Sequence, residues 1–124
     1  MNEAGAPHVA HTFFAWDFAS QEPALVVSVL SHSAKMANIR RDGRVGFTIG
    51  GNLPDLWLNG HGEATELDGA DAARALALLK AKNKAVEAFV SRLPTAYVRI
   101  AVSDYRITDV REPGSPPLVF AYPA

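Results

Sequence analysis

Ser31, Ser33 and Lys35 stand close together behind an apolar run, and these residue types in that order suit the binding of a phosphate. Two hydroxyls can donate hydrogen bonds, and a lysine ammonium adds a compact positive charge. If a helix opens here, its first backbone N–H groups and the positive end of its dipole face the same place. Arg40 and Arg41 follow within two turns and could add charge. His32 could meet a phosphate or the edge of a ring, and it suits an exposed turn equally well. A serine cap beside a solvated lysine is also an ordinary start to a helix, so these residues alone leave both readings open.

Other constellations carry less. His8 and His11 would point to opposite faces of a strand, and His32 and His61 are dispersed, so no metal site is expected. With no cysteine in the chain, disulfides, thiol catalysis and cysteine-bound metals are excluded. Asp55, Glu63, Glu66 and Asp68 have the spacing of a solvated strand edge rather than of an acid–base pair. No nucleophile elbow, P-loop or Rossmann glycine pattern is present, and no catalytic residue is assigned. Trp16 and Trp57 could stack on a ligand, but read more simply as anchors of a core or a subunit interface. A formal net charge of -1 over 124 residues argues against nucleic acid or an anionic membrane as partner. Arg40, Arg41 and Arg44 form only a short basic cluster, broken by Asp42. No apolar run is long enough to span a membrane, and Met1-Asn2-Glu3 does not open a targeting segment, so a soluble, cytoplasmic protein is expected.

Several elements must position residues 31–38. Residues 8–16, rich in β-branched and aromatic types, read as a strand that ends in a polar turn over 17–23. The run Ala-Leu-Val-Val-Ser-Val-Leu over 24–30 reads as a strand buried on both faces. A serine-capped helix is expected over 34–41, stopped at Asp42-Gly43, with Gly43 able to take a positive φ. A strand over 44–49, a turn through Gly50, Gly51, Asn52 and Pro54, and a longer strand over 55–67 follow. Gly60 and Gly62 share one face of that strand, which suggests a bulge, or the close approach of another backbone or a flat ligand. Asp68 is placed to cap an amphipathic helical stretch over 70–93, whose stripe is Ala72, Leu76, Leu79, Val86 and Val90. Asn83 interrupts it and Pro94 ends it. Residues 96–110 return to strand alternation with a kink near Ser103-Asp104, and the apolar patch 118–122 lies in a tail over about 112–124. The whole is one domain, residues 1–124, mainly β with helices, an α+β class with an antiparallel, barrel-like sheet.

Five segments together carry a family pattern. They are Gly5-Ala6-Pro7-His8-Val9, the strand 25–30, the run Ser33-Ala34-Lys35-Met36-Ala37-Asn38-Ile39-Arg40-Arg41-Asp42, then Arg44-Val45-Gly46-Phe47, and Gly60-His61-Gly62-Glu63-Ala64. In order and spacing the chain resembles the pyridoxamine 5'-phosphate oxidase-like superfamily of FMN-binding split β-barrels. The resemblance implies an antiparallel split barrel that forms a homodimer, binds FMN between its subunits and exchanges a hydride with a small-molecule substrate. It also implies that Lys35 and a neighbouring serine, Ser31 or Ser33, contact the cofactor phosphate, with Asn38 in the same segment. Thr12, Phe13, Ser28, Val29 and Leu30 would then lie along the flavin ring. Relatives that use F420 or haem supply the alternatives, as does a non-enzymatic, stress-related binding protein with a degenerate site. Family members usually carry a helix and a first strand ahead of the Gly-x-Pro segment, whereas here Met1 falls almost at that turn. An N-terminally short member is expected, naturally shortened, or with its start placed late, or with the gap filled by a neighbouring subunit or the C-terminal tail.

Overall fold

The computed structural model describes residues 8–9, 13–19, 22–50, 56–111 and 114–123. In chain order the elements are β1 (His8–Val9), β2 (Phe14–Asp17), β3 (Ala24–Leu30), α1 (Ala34–Arg41), β4 (Arg44–Gly50) and β5 (Leu56–Leu67). They continue with α2 (Gly69–Lys82), α3 (Ala85–Val90), β6 (Thr95–Asp109) and β7 (Leu118–Tyr122). The strands form one sheet in the order β1-β4-β5-β6-β3-β2, with β7 paired to β6 beside that path. The class is α+β, and all pairings but one are antiparallel. The exception is β1, which lies parallel to β4. Among the described residues the sheet is open, with β1 and β2 at its two ends.

β6 is the spine. Its first half pairs with β3 from Thr95 to Ala101, its second half pairs with β7 from Tyr105 to Asp109, and β5 runs along its whole length. The register between β5 and β6 shifts at His61/Gly62, so the kink expected near Ser103-Asp104 is a β-bulge. Gly62 is required there by proximity. A Cβ at that position would stand 2.5 Å from the Ala101 carbonyl oxygen and 2.7 Å from Ile100 Cγ2. The approach that the paired glycines suggested is therefore made by the protein's own backbone.

β3 is buried from Ala24 to Val29 because both of its faces are covered. Leu25, Val27 and Val29 join Val45, Phe47, Val98 and Ile100 on one side, where Met36 and Ile39 of α1 close the cluster. Val26 faces the other way and packs with Ala15, Ala75, Leu79 and Val86 under α2 and α3. The break between those helices falls at Asn83, whose side-chain oxygen accepts from the Ala85 N–H at 2.9 Å. Asp68 stands at the N-cap of α2 but makes no side-chain capping bond. No helix among the described residues is long and apolar enough to cross a membrane.

One ion pair ties the edge of the sheet to α2. Asp17 is buried, and Arg74 grips it at both oxygens, at 2.7 and 2.9 Å, while the Ala19 N–H adds a third bond. The Arg74 guanidinium holds the Asp17 carboxyl down to about 2, against an ordinary 3.8. Since it titrates lower in the fold than in the unfolded chain, its contribution is complete above about pH 4. It is lost as pH falls toward about 2. Asp17→Asn should destabilise the protein by about 1–3 kcal/mol near neutral pH. In urea titrations the gap between the two proteins should close as the pH is lowered from 4 to 2; a gap independent of pH would show that the pair contributes nothing through charge.

Candidate functional site

The site is built where β3 leaves the sheet. Leu30 ends the strand, Ser31 and His32 turn, and Ser33 begins α1. Ser33 caps the helix twice over: its hydroxyl accepts from the Met36 N–H at 3.1 Å and donates to the Leu30 carbonyl at 2.8 Å. The junction is further tied by the Ser31 N–H, which donates to the Pro94 carbonyl at 3.0 Å. Arg40 locks the other side. It donates to Glu66 at 2.8 and 3.0 Å and to the Ser31 carbonyl at 2.9 Å, joining the turn, α1 and β5.

A cleft of about 380 Å³ opens beside this junction, lined by Phe13, Ser28, Val29, Leu30, Ser33, Lys35 and Phe89. Its volume lies in the range of small-ligand sites. Two of the lining residues are aromatic: Phe13 and Phe89 meet edge to face, with ring centroids 5.6 Å apart and an interplanar angle of 76°. Ser33 and Lys35, at the start of α1, also line it, and the first N–H groups of a helix together with a cation suit an anion.

Ser28 is the unusual member of the lining. It lies within β3 at 3% exposure, and its backbone N–H is satisfied by the Phe13 carbonyl at 3.3 Å. Its hydroxyl oxygen is buried without a hydrogen-bond partner among the described residues. Leaving such a group unpaired costs about 1–3 kcal/mol. A hydroxyl in that condition on the wall of a cleft fits a ligand atom able to hydrogen-bond to it.

Six of the nine residues singled out from the sequence therefore surround one cleft: Phe13, Ser28, Val29, Leu30, Ser33 and Lys35. Ser31 and Asn38 stand elsewhere. Ser31 makes the turn beside the cleft through its backbone bonds, and Asn38 is buried, its side-chain oxygen accepting from Arg41 at 2.6 Å. Thr12 lies outside the described residues. Ser33 lines the cleft, yet its hydroxyl hydrogen is directed at Leu30, so the cap reading of this serine is also realised. The arginines are similarly engaged: Arg40 with Glu66, Arg41 with Asn38 and Arg44 with Asp42 at 2.6 Å. Lys35 is the cation that lines the cleft. Phe89 escaped the sequence reading because it arrives from α3, far along the chain, in a segment that reads simply as an amphipathic helix.

No protein-family model matches the chain, and no curated protein matches it in sequence. Solved structures do match in fold. One is a haem-binding protein from Mycobacterium smegmatis, with a TM-score of 0.56 and 15% identity over 88% of this chain. This chain spans 51% of that protein, about half its length. Another is a NimC/NimA family protein from Clostridium acetobutylicum, with a TM-score of 0.50 and 13% identity, covering 89% of this chain and 82% of that one. At such identities the likeness is one of fold.

The orphaned hydroxyl yields a direct test. Without ligand, Ser28→Ala should leave stability unchanged or raise it by up to about 1 kcal/mol, because the substitution removes a buried unpaired group. Chemical unfolding of the two ligand-free proteins measures this. A loss above about 1 kcal/mol would mean that the hydroxyl is satisfied in the free protein and is not held ready for a ligand.

Proposed function

We propose that this chain is a split-barrel cofactor-binding protein of the flavin type, holding FMN in the cleft between β3, α1 and α3. The observation that carries the reading is a lining that combines the Phe13 and Phe89 rings, Ser28 with its buried unpartnered hydroxyl, and Lys35 in the first turn of α1. The fold likeness to a haem-binding protein and a NimC/NimA family protein supports a cofactor-binding barrel. FMN fits the donor set. Lys35 and the first N–H groups of α1 would hold its phosphate, and Ser28 would hydrogen-bond to a polar edge of its ring. When bound, the flavin supplies hydride chemistry, so the protein's part is binding, orientation and exclusion of water. This is how an oxidoreductase could work without a recognisable catalytic pair, acting on a small molecule.

Haem is the second reading, favoured by the haem-binding neighbour. An iron porphyrin takes histidine, cysteine, methionine or tyrosine as axial ligand, and among the described residues none that lines the cleft is of these types. The lining thus favours FMN at this place. F420 stands as a further phosphate-bearing alternative, to be compared in the same titrations.

The proposal includes self-association. Phe18 is 82% exposed, and Leu118, Val119 and Phe120 of β7 are each more than half exposed. Residues 114–123 carry no charged side chain, so β7 lacks the charges that commonly keep an edge strand unpaired. A second copy of the chain is the occupant proposed for this apolar surface, and light scattering on the purified protein would return a monomer mass if that part is wrong.

Titration with FMN, followed by flavin fluorescence and thermal unfolding, tests the central reading. At a hundredfold excess over the dissociation constant FMN should stabilise the protein by about 2.7 kcal/mol. Lys35→Ala should weaken binding by roughly tenfold to a hundredfold while leaving the fold intact. Neither a thermal shift nor a change in flavin fluorescence with the unmodified protein would refute flavin binding.

A further inference from the structure

We propose that Phe89 of α3 is a ligand-contacting, specificity-determining residue of the cleft, forming the wall on which the ring of a heteroaromatic phosphate ligand packs. This rests on the reading of the cleft as a phosphate-ligand site, and adds to it the class of ring accepted and the residue that selects it.

Three observations converge on Phe89. Among the described residues it is the one lining residue from outside the β2–β3–α1 segment, and it reaches the cleft from a helix of six residues. The chain leaves helical geometry at Asn83, and Val86, fully buried, packs α3 into the cluster it shares with Ala75 and Leu79 of α2 and with Ala15 and Val26 of the sheet. Phe89 therefore sits on a short helix anchored one turn before it. Second, Phe89 is half-buried and meets Phe13 edge to face at 5.6 Å, so the two rings brace each other as one aromatic surface. Third, Ser28, whose buried hydroxyl has no hydrogen-bond partner among the described residues, lines the same cleft.

Together these discriminate between classes of ligand. An aliphatic chain would cover the aromatic wall and leave Ser28 unsatisfied, and a small polar anion would satisfy Ser28 and leave the wall bare. A flat ring that carries nitrogen or oxygen at its edge meets both demands. Edge-to-face and offset-stacked contacts also depend on an aromatic partner, so an aliphatic side chain of similar size at position 89 would be a poorer wall.

The experiment compares FMN with riboflavin, which keeps the ring and lacks the phosphate, by fluorescence titration of four proteins. Phe89→Leu and Phe89→Ala should weaken both ligands by a similar factor, roughly tenfold, and Phe89→Tyr should bind both nearly as the unmodified protein does. Should Phe89→Ala fail to fold, the leucine and tyrosine variants decide the matter, since they differ in the ring. Unchanged binding in Phe89→Leu, or equal losses in Phe89→Leu and Phe89→Tyr, would overturn the role of Phe89 while leaving the phosphate site standing. Absence of binding of both ligands by the unmodified protein would overturn the site reading and this inference with it.

Discussion

A strand covered on both faces has little tolerance for an unpaired hydroxyl, yet β3 carries one at Ser28. From Leu25 to Val29 every other residue of that strand is committed to a core. Leu25, Val27 and Val29 serve the cluster closed by α1, and Val26 serves the cluster beneath α2 and α3. The two clusters lie on opposite faces of the sheet, and β3 contributes to both, as do β2, β5 and β6. The cleft lies at the end of this doubly covered run, where Leu30 is exposed and the chain turns into α1.

The junction after β3 is tied by hydrogen bonds from both side chains and backbone. Ser33 caps α1 and also returns a hydrogen bond to Leu30, Ser31 is tied to Pro94, and Arg40 binds the Ser31 carbonyl while gripping Glu66 of β5. These bonds occupy groups that could otherwise have met an anion, notably the Ser33 hydroxyl and the Arg40 guanidinium. Their effect is to hold the start of α1 still. A preorganised helix terminus binds an anion at lower entropic cost than a mobile one. The basic cluster of three arginines is thereby structural, and Lys35 is the cation placed at the cleft.

Local rules made β3 and α1 legible. An unbroken apolar run of strand length bounded by polar turns has few other readings, and Ser33 starts α1 where a capping serine should. The close approach at the glycine-bearing strand was also foreseeable, because two glycines on one face mark one, and the bulge lies opposite them on β6. What escaped the sequence is non-local. Asp17 read as part of a polar turn, yet it ends β2 buried under Arg74, a partner 57 residues away. The parallel pairing of β1 with β4, the division of β6 between β3 and β7, and the arrival of Phe89 at the cleft all depend on contacts that no window of sequence contains. Ser33 and Lys35 could be placed near a ligand site from their types, but the direction of the serine hydroxyl required coordinates.

Hydrogen exchange of backbone amides with and without FMN tests the account most directly, since it reports where a ligand sits without altering a residue. The cleft assignment predicts slowed exchange at the first turn of α1, residues 34–36, together with slowing in α3 around residue 89. Binding that leaves both segments unchanged and slows exchange elsewhere, for example along β7, would contradict the placement of the site at the end of β3.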